Sequence, residues 1–129
     1  MYVPKGLNLL VDVDSTPLLN AIIVEGTIIF APKDNDPTHL RTFDAKYIMV
    51  QKGRMEVGTE EFPYTSRIII TMHGKESDPY MPTYGNKVIG VRMGNLDMHG
   101  PVRTPTWTVM DQTALAGAST ITLSVAVDW

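Results

Sequence analysis

The chain of 129 residues contains no cysteine, which removes disulfides, thiolate nucleophiles and cysteine zinc sites from consideration. No apolar run reaches the ~18 residues that a membrane-spanning helix needs. The opening Met1-Tyr2-Val3-Pro4-Lys5 lacks the basic-then-apolar order of a secretory leader. None of the asparagines, at 8, 20, 35, 86 and 95, is followed at the third position by Ser or Thr, so no glycosylation sequon is present. Charged residues are 19% of the chain, 11 basic against 14 acidic, with no basic stripe of the kind that grips nucleic acid. No glycine-rich phosphate loop, Ser–His–Asp order or zinc signature is found, so no cofactor is implied. The absence of cysteine suits a reducing compartment but does not exclude secretion.

What is present is a repeated device. Ile22, Val24, Gly26, Ile28 and Phe30 form an Ile-x-Val step, a glycine and two alternating apolar residues. The pattern returns at Ile48, Val50, Gly53, Met55 and Val57, and again at Ile89, Val91, Gly94, Leu96 and Met98. Self-similarity within one short chain signals stacked units that each cannot bury an apolar face alone. The glycine steps are 27 residues from 26 to 53 and 41 from 53 to 94. The longer gap contains one further alternating strand, at 67–73, and is read as two coils.

Leu7, Leu9, Val11 and Val13 alternate with Asn8, Leu10, Asp12 and Asp14 and predict a strand with one buried face. Leu18–Phe30 is nearly all apolar and rich in Ile and Val, as strands covered on both faces are. Ala31–Arg41 and Lys75–Asn86 read as long polar loops, each with two prolines. Trp107–Met110 reads as a short strand, and Ile121, Leu123, Val125 and Val127 as a last alternating one. Helix is nearly absent. The expected architecture is all-β, a right-handed parallel β-helix (β-solenoid). The alternative is an antiparallel β-sandwich, which the scarcity of Asn-Gly and Asp-Gly hairpin turns disfavours. Val24, Ile28, Val50, Met55, Ile70, Val91, Leu96, Ile121 and Leu123 are expected to point inward. The glycines, Gly53 and Gly94 above all, are expected at the corners, with left-handed backbone or close backbone contact.

Asp97 and His99 lie two apart and share one strand face, with Arg103 soon after. Carboxylate, imidazole and guanidinium together could bind an acidic sugar or perform acid–base work; a solvated strand face explains the same residues. His73 precedes Gly74 as His99 precedes Gly100, so stacked coils could bring two imidazoles together, although a surface ladder without metal accounts for them as well. Asp12 and Asp14 form a carboxylate pair, as glycosidases use and as hydrated strand faces also show. Asp34, Asp36 and Asp44 lack EF-hand spacing. Tyr64, Tyr80 and Tyr84 could stack on sugar rings or pin the loops. The methionines at 49, 55, 72, 93, 98 and 110 read as core filling, and Trp107 as a structural anchor.

These landmarks also resemble a known family. Leu9-Leu10-Val11-Asp12-Val13, Thr16-Pro17-Leu18-Leu19 and the first device are similar to the start of the G-eight domain, named for its eight glycines. Gly53, Gly58, Glu60, Pro63 and Tyr64 follow its middle. Gly94, Leu96, Asp97, Met98, His99 and Gly100, then Pro105, Trp107 and Thr108, follow its end. Gly26 and Gly74 complete the glycine set carried over as structural. The family occurs in fibrocystin and fibrocystin-like ectodomains, in the hyaluronan-binding cell-migration protein and in related cell-surface hyaluronidases. Thr16-Pro17-Leu18-Leu19 and Arg103-Thr104-Pro105 look closest to the fibrocystin-like branch. The resemblance implies one domain over 1–129, extracellular or at the cell surface, cut short at its C-terminal end and part of a larger ectodomain. It implies a protein or glycan ligand, hyaluronan among the possibilities, and flanking β-helix units as partners. Only one branch implies sugar cleavage. Phe62 stands where the family often has Cys, so its disulfide pattern is not carried over.

Overall fold

The computed structural model describes Met1–Trp129 except Asn35 and Pro82; those two positions, one in each of the long loops expected above, lie outside the described residues. The described residues form nine strands and no helix. The strands are β1 (Tyr2–Val3), β2 (Asn8–Val11), β3 (Leu19–Val24), β4 (Thr27–Phe30), β5 (Leu40–Gln51), β6 (Arg54–Val57), β7 (Arg67–Met72), β8 (Val88–Arg92) and β9 (Asn95–Met98). Every pairing between them is parallel. The antiparallel sandwich is therefore ruled out. No helix among the described residues is long and apolar enough to cross a membrane.

The strands build two sheets, and the chain alternates between them except at β7 and β8, which follow one another in the first sheet. The first sheet runs β1-β3-β5, with β7 and β8 both paired to β5; the second runs β2-β4-β6-β9. One strand from each sheet makes a rung, and successive rungs stack in register. Ile22 lies beside Ile48 and Ile48 beside Ile89; Val24 lies between Val3 and Val50, and Val50 beside Val91. In the second sheet Leu9, Ile28, Met55 and Leu96 form one row. The three sequence copies thus coincide in space, and a fourth, with Val3 and Leu9, precedes them. The rows enclose a core of Val24, Ile28, Ile48, Val50 and Met55, all essentially sealed from solvent. Each such side chain contributes about 1.5–3 kcal/mol through burial. Phe30 and Phe43 meet edge to face at 4.9 Å.

The corner glycines work by close approach. A Cβ on Gly53 would stand 2.5 Å from the Gly26 carbonyl oxygen, and one on Gly94 2.6 Å from that of Gly53. Neither glycine has a positive φ, which corrects the left-handed expectation for both. The left-handed residues are those just before, Lys52 (φ 59°) and Met93 (φ 54°). They take up the extra residue that these two corners have relative to Val24-Glu25-Gly26.

β5 shows how a polar stretch enters the core. Its inward residues are Arg41, Phe43 and Ala45, then Ile48 and Val50, so the alternation slips by one at Lys46-Tyr47. Leu19 and Ile22 of β3 keep the same step in the same register. Beyond β5 the chain departs here: β7 ends with Met72 beside Ala45, and β8 begins with Val88 beside Tyr47. The 41-residue gap therefore holds one rung with a split strand, and not two coils. Arg41 is almost fully buried, and among the described residues it forms no ion pair with a carboxylate. Its Nη2 donates to the Ala31 carbonyl at 3.0 Å, its Nη1 to the Val13 carbonyl and its Nε to the Tyr64 hydroxyl at 3.4 Å. These bonds compensate the cost of burying a charge.

Several expectations fail. Leu40–Arg41, read as loop, opens the longest strand. Ile121–Val127 and Trp107–Met110 are not strands; one antiparallel bridge joins Met110 to Leu123. Alternation without a neighbouring ladder is insufficient. Val91, Leu96 and Ile121 are exposed, although Val91 and Leu96 sit in the inward rows. Trp107 is 73% exposed and anchors no core.

Candidate functional site

The outer face of the second sheet carries a charged cluster. Residues 54, 56, 95 and 97 alternate outward, with Arg54 paired to Asn95 and Glu56 to Asp97 across β6 and β9. The Arg54 guanidinium reaches both carboxylates, 3.1 Å to Glu56 and 2.8 Å to Asp97. Asp97 is thus held by a cation that was not singled out in the sequence. Its signal was available: aligning Gly53 with Gly94 sets Arg54 and Glu56 beside Asn95 and Asp97.

His99 follows β9 with an exposed ring and an engaged backbone. Its N–H donates to Val57 at 3.0 Å, and its carbonyl accepts from the Tyr64 N–H at 2.7 Å. Gly58, at φ +74°, closes the same knot, since a Cβ there would lie 2.5 Å from the His99 oxygen. The Gly58, Pro63-Tyr64 and His99 landmarks thereby meet at one junction. A shallow recess of about 310 Å³ opens beside it, between Tyr64, Ser66, Ile68 and His99. Arg103 lies farther along, donating to the Asp128 carbonyl at 3.1 Å. It borders an open recess of about 530 Å³ with Val102 and Trp129. Asp97, His99 and Arg103 thus follow one another along the chain, with their bonded partners elsewhere. Gly100 faces open space, and a Cβ there would meet nothing, so its structural assignment is not supported by crowding.

His73 belongs to the first sheet. Its N–H donates to Ala45 at 2.7 Å, and its Nε2 lies 2.6 Å from the Asp44 carboxylate. The Asp44 N–H in turn donates to the Thr16 hydroxyl at 3.1 Å. His73 and His99 extend rows of different sheets, so the stacked imidazole pair does not form. Among the described residues no group of three or more His, Cys, Asp or Glu is placed to hold a metal ion.

Tyr80 and Tyr84 sit on the loop between β7 and β8, away from Asp97. The Tyr84 ring packs over Gly90, where a Cβ would come within 3.2 Å of it. The Tyr47 hydroxyl donates to the Pro79 carbonyl and holds the loop from below. Tyr80 is exposed. The loop's neck is closed by the Asn86 amide donating to the Lys75 carbonyl at 2.7 Å, and Gly74 lets the Lys87 Cβ approach. Asp14 is engaged by His39 at 3.1 Å and Lys33 at 4.0 Å. Two side chains titrate away from their ordinary values. Donation to Glu25 raises the Tyr2 hydroxyl, and bonds from the Thr38 side chain and backbone lower the Asp36 carboxyl.

Against this geometry the family can be placed. The model of the G8 domain matches residues 1–111. The chain belongs to the G8 domain family. It is 37% identical to mouse fibrocystin-L over 98% of its own length, and 36% identical to human fibrocystin-L over 100%. It is 41% identical to the human cell surface hyaluronidase CEMIP2 over 43% of its length. The chain spans about 3% of the fibrocystin-L proteins and 4% of the hyaluronidase. In this G8 domain Gly26, Gly53 and Gly94 are the stacking corners, and Gly58 is the crowded left-handed turn.

Proposed function

We propose that this G8 domain is an extracellular, non-catalytic binding or scaffold module of a fibrocystin-like cell-surface protein, one domain within a larger ectodomain. The observation that carries this reading is the match to fibrocystin-L along the whole chain, against less than half of it for the hyaluronidase. The two sheets are proposed as faces of a right-handed parallel β-solenoid, since parallel crossovers adopt that hand almost without exception. Its ligand, a protein or a glycan, meets the edge carrying Asp97, His99 and Arg103; the tyrosine loop with His73 offers a separate surface. Long loops on a stacked scaffold are where such folds bind.

The competing reading is a part in hyaluronan binding and hydrolysis, suggested by the CEMIP2 likeness. Asp97 lies against Arg54 at 2.8 Å, so its carboxylate is already engaged on the sheet face. Incubating the domain with hyaluronan across pH and measuring chain length separates the two. No shortening is expected at any pH. Shortening lost in Asp97→Asn would overturn the binding-module reading. Charge reversal at Arg103 should instead weaken capture of the partner in a salt-dependent way.

A further inference from the structure

Next to the Asp97 face, on the same side of the second sheet, lies a groove of about 460 Å³. Its floor is the end of β4 and the segment after it, with Ile29 and Pro32; its wall is the turn from Thr59 to Pro63. Phe62 stands on that turn, 71% exposed. The turn is not loose: the Thr59 N–H donates to the Phe62 carbonyl at 2.9 Å, and the Phe62 N–H to the Thr59 hydroxyl at 3.0 Å. A side-chain hydroxyl closing a turn in this way fixes the backbone from which the ring projects into water. Glu56 and Glu61 also line the groove, and Glu60 sits at the tip of the turn.

The charge around this ring is one-sided. Arg54 divides itself between Glu56 and Asp97. Lys33, just beyond Pro32, has its ammonium 4.0 Å from Asp14. Neither Glu60 nor Glu61 pairs with a cationic side chain among the described residues. An aromatic face beside carboxylates attracts a guanidinium or ammonium, through the ring quadrupole and through charge. Apolar walls accept the flanking aliphatic part.

We propose that this groove docks a basic segment of a partner protein, an arginine or lysine seated against Phe62 with its charge toward Glu56 and Glu61. The inference rests on the binding-module reading and supplies the chemistry of its partner. The turn presents, from a fixed backbone, an aromatic anchor of the kind that dominates binding energy at interfaces.

The test uses the 129-residue chain and a fluorescein-labelled octapeptide with two arginines about a leucine, with a counterpart carrying glutamates in their place. The arginine peptide should bind, and the glutamate peptide should not. Phe62→Ser and Glu61→Lys should each weaken capture by roughly tenfold or more, and added salt should weaken it further. Both side chains are exposed, so thermal midpoints should hold. Equal binding of the two peptides, no binding at all, or unchanged affinity in Glu61→Lys would overturn the proposal. Binding of a hyaluronan oligosaccharide by the parent chain, lost in Phe62→Ser, without binding of the arginine peptide would assign the groove to an anion instead and overturn the proposal. Hyaluronan shortening is a different failure: it removes the binding-module reading whatever the peptides do.

Discussion

The two ends of the stack are built from similar residues and behave differently. At the first rung Val3 is 1% exposed although β1 is only two residues long. At the last rung Val91, in the same row, is 39% exposed and Met98 is 51% exposed. The difference lies in the corners. Val3 tucks against Gly26 of the next rung, its Cγ1 3.2 Å from where a Cβ would stand, and Val50 tucks against Gly94 at 3.0 Å. Each valine is covered by the glycine one rung later. Val91 has no such glycine above it among the described residues. Burial in this architecture therefore propagates in one direction, and a rung is completed by its successor. In the first sheet the two-residue β1 also leaves little edge to pair with, whereas β8 presents five residues; in the second sheet the end strands β2 and β9 have four residues each.

The sharpest way to break that comparison is at the corners. Gly53→Val places atoms against the Gly26 and Val24 carbonyls, which are backbone and cannot rotate aside. A loss of about 4 kcal/mol is expected, beyond ordinary overpacking. Gly94→Val should cost less than half of that, because the last rung can shift outward. Equal losses in denaturant titrations would remove the directional argument. Next come the rows themselves. Ile48→Ala, in a sealed site, should cost about 3 kcal/mol. Leu96→Ala, half open to water, should cost about 1 kcal/mol, in proportion to the area it buries. Hydrogen exchange then gives a finer reading: amides of β8 and β9 should exchange roughly tenfold faster than those of β3, as the less covered end opens first. Uniform protection would argue against it.

The smallest expected effect serves as a control belonging to neither end. Asp36 accepts from the Thr38 N–H at 2.8 Å and its hydroxyl at 2.6 Å, so its folded carboxyl titrates below the ordinary 3.8. A depressed folded value means that its contribution is present above the unfolded pKa and fades as pH falls through the folded one. NMR titration should place the midpoint below 3.8, and Thr38→Ala should raise it without altering exchange in either end rung. An Asp36 midpoint unaffected by Thr38→Ala would contradict the hydrogen-bond assignment.

The register was legible because the sequence repeats it. Ile22, Ile48 and Ile89, and the glycines that follow them, lie together as their spacing says. The earlier copy was hidden because Pro4-Lys5-Gly6-Leu7 makes its corner in place of a single glycine. The first half of β5 was hidden because Arg41 faces inward, and a buried guanidinium does not register as apolar. The long gap misled because one strand is split in two around a loop. Ile121–Val127 misled in the other direction: its alternation is genuine, but among the described residues it pairs only through the single bridge to Met110. Of the candidate site residues, chain order set Asp97 on β9 and His99 on the same strand, whereas the strand stops at Met98 and His99 follows it. It could not show Arg54 reaching across to Asp97, nor assign His73 and His99 to different sheets, because both depend on how rungs stack. Phe62 drew attention only as a departure from a family pattern. Its place on the groove wall depends on Thr59 closing the turn, which a single sequence does not announce.

The split strand has a consequence for how this domain can vary. β7 and β8 are each templated by β5, and the loop between them leaves through a neck pinched at Gly74 and Lys87 and tied by Asn86 to Lys75. Whatever the loop does, the ladder on either side is already satisfied. Lengthening a closed loop costs only about 0.6 kcal/mol per doubling. The neck is thus a socket: exposed positions beyond it, Glu76 and Tyr80 among them, can be exchanged without re-registering the rungs, while Pro79 and Tyr84 hold the loop to Tyr47 and Gly90. New surface chemistry can then be sampled at this socket while the glycine corners stay as they are.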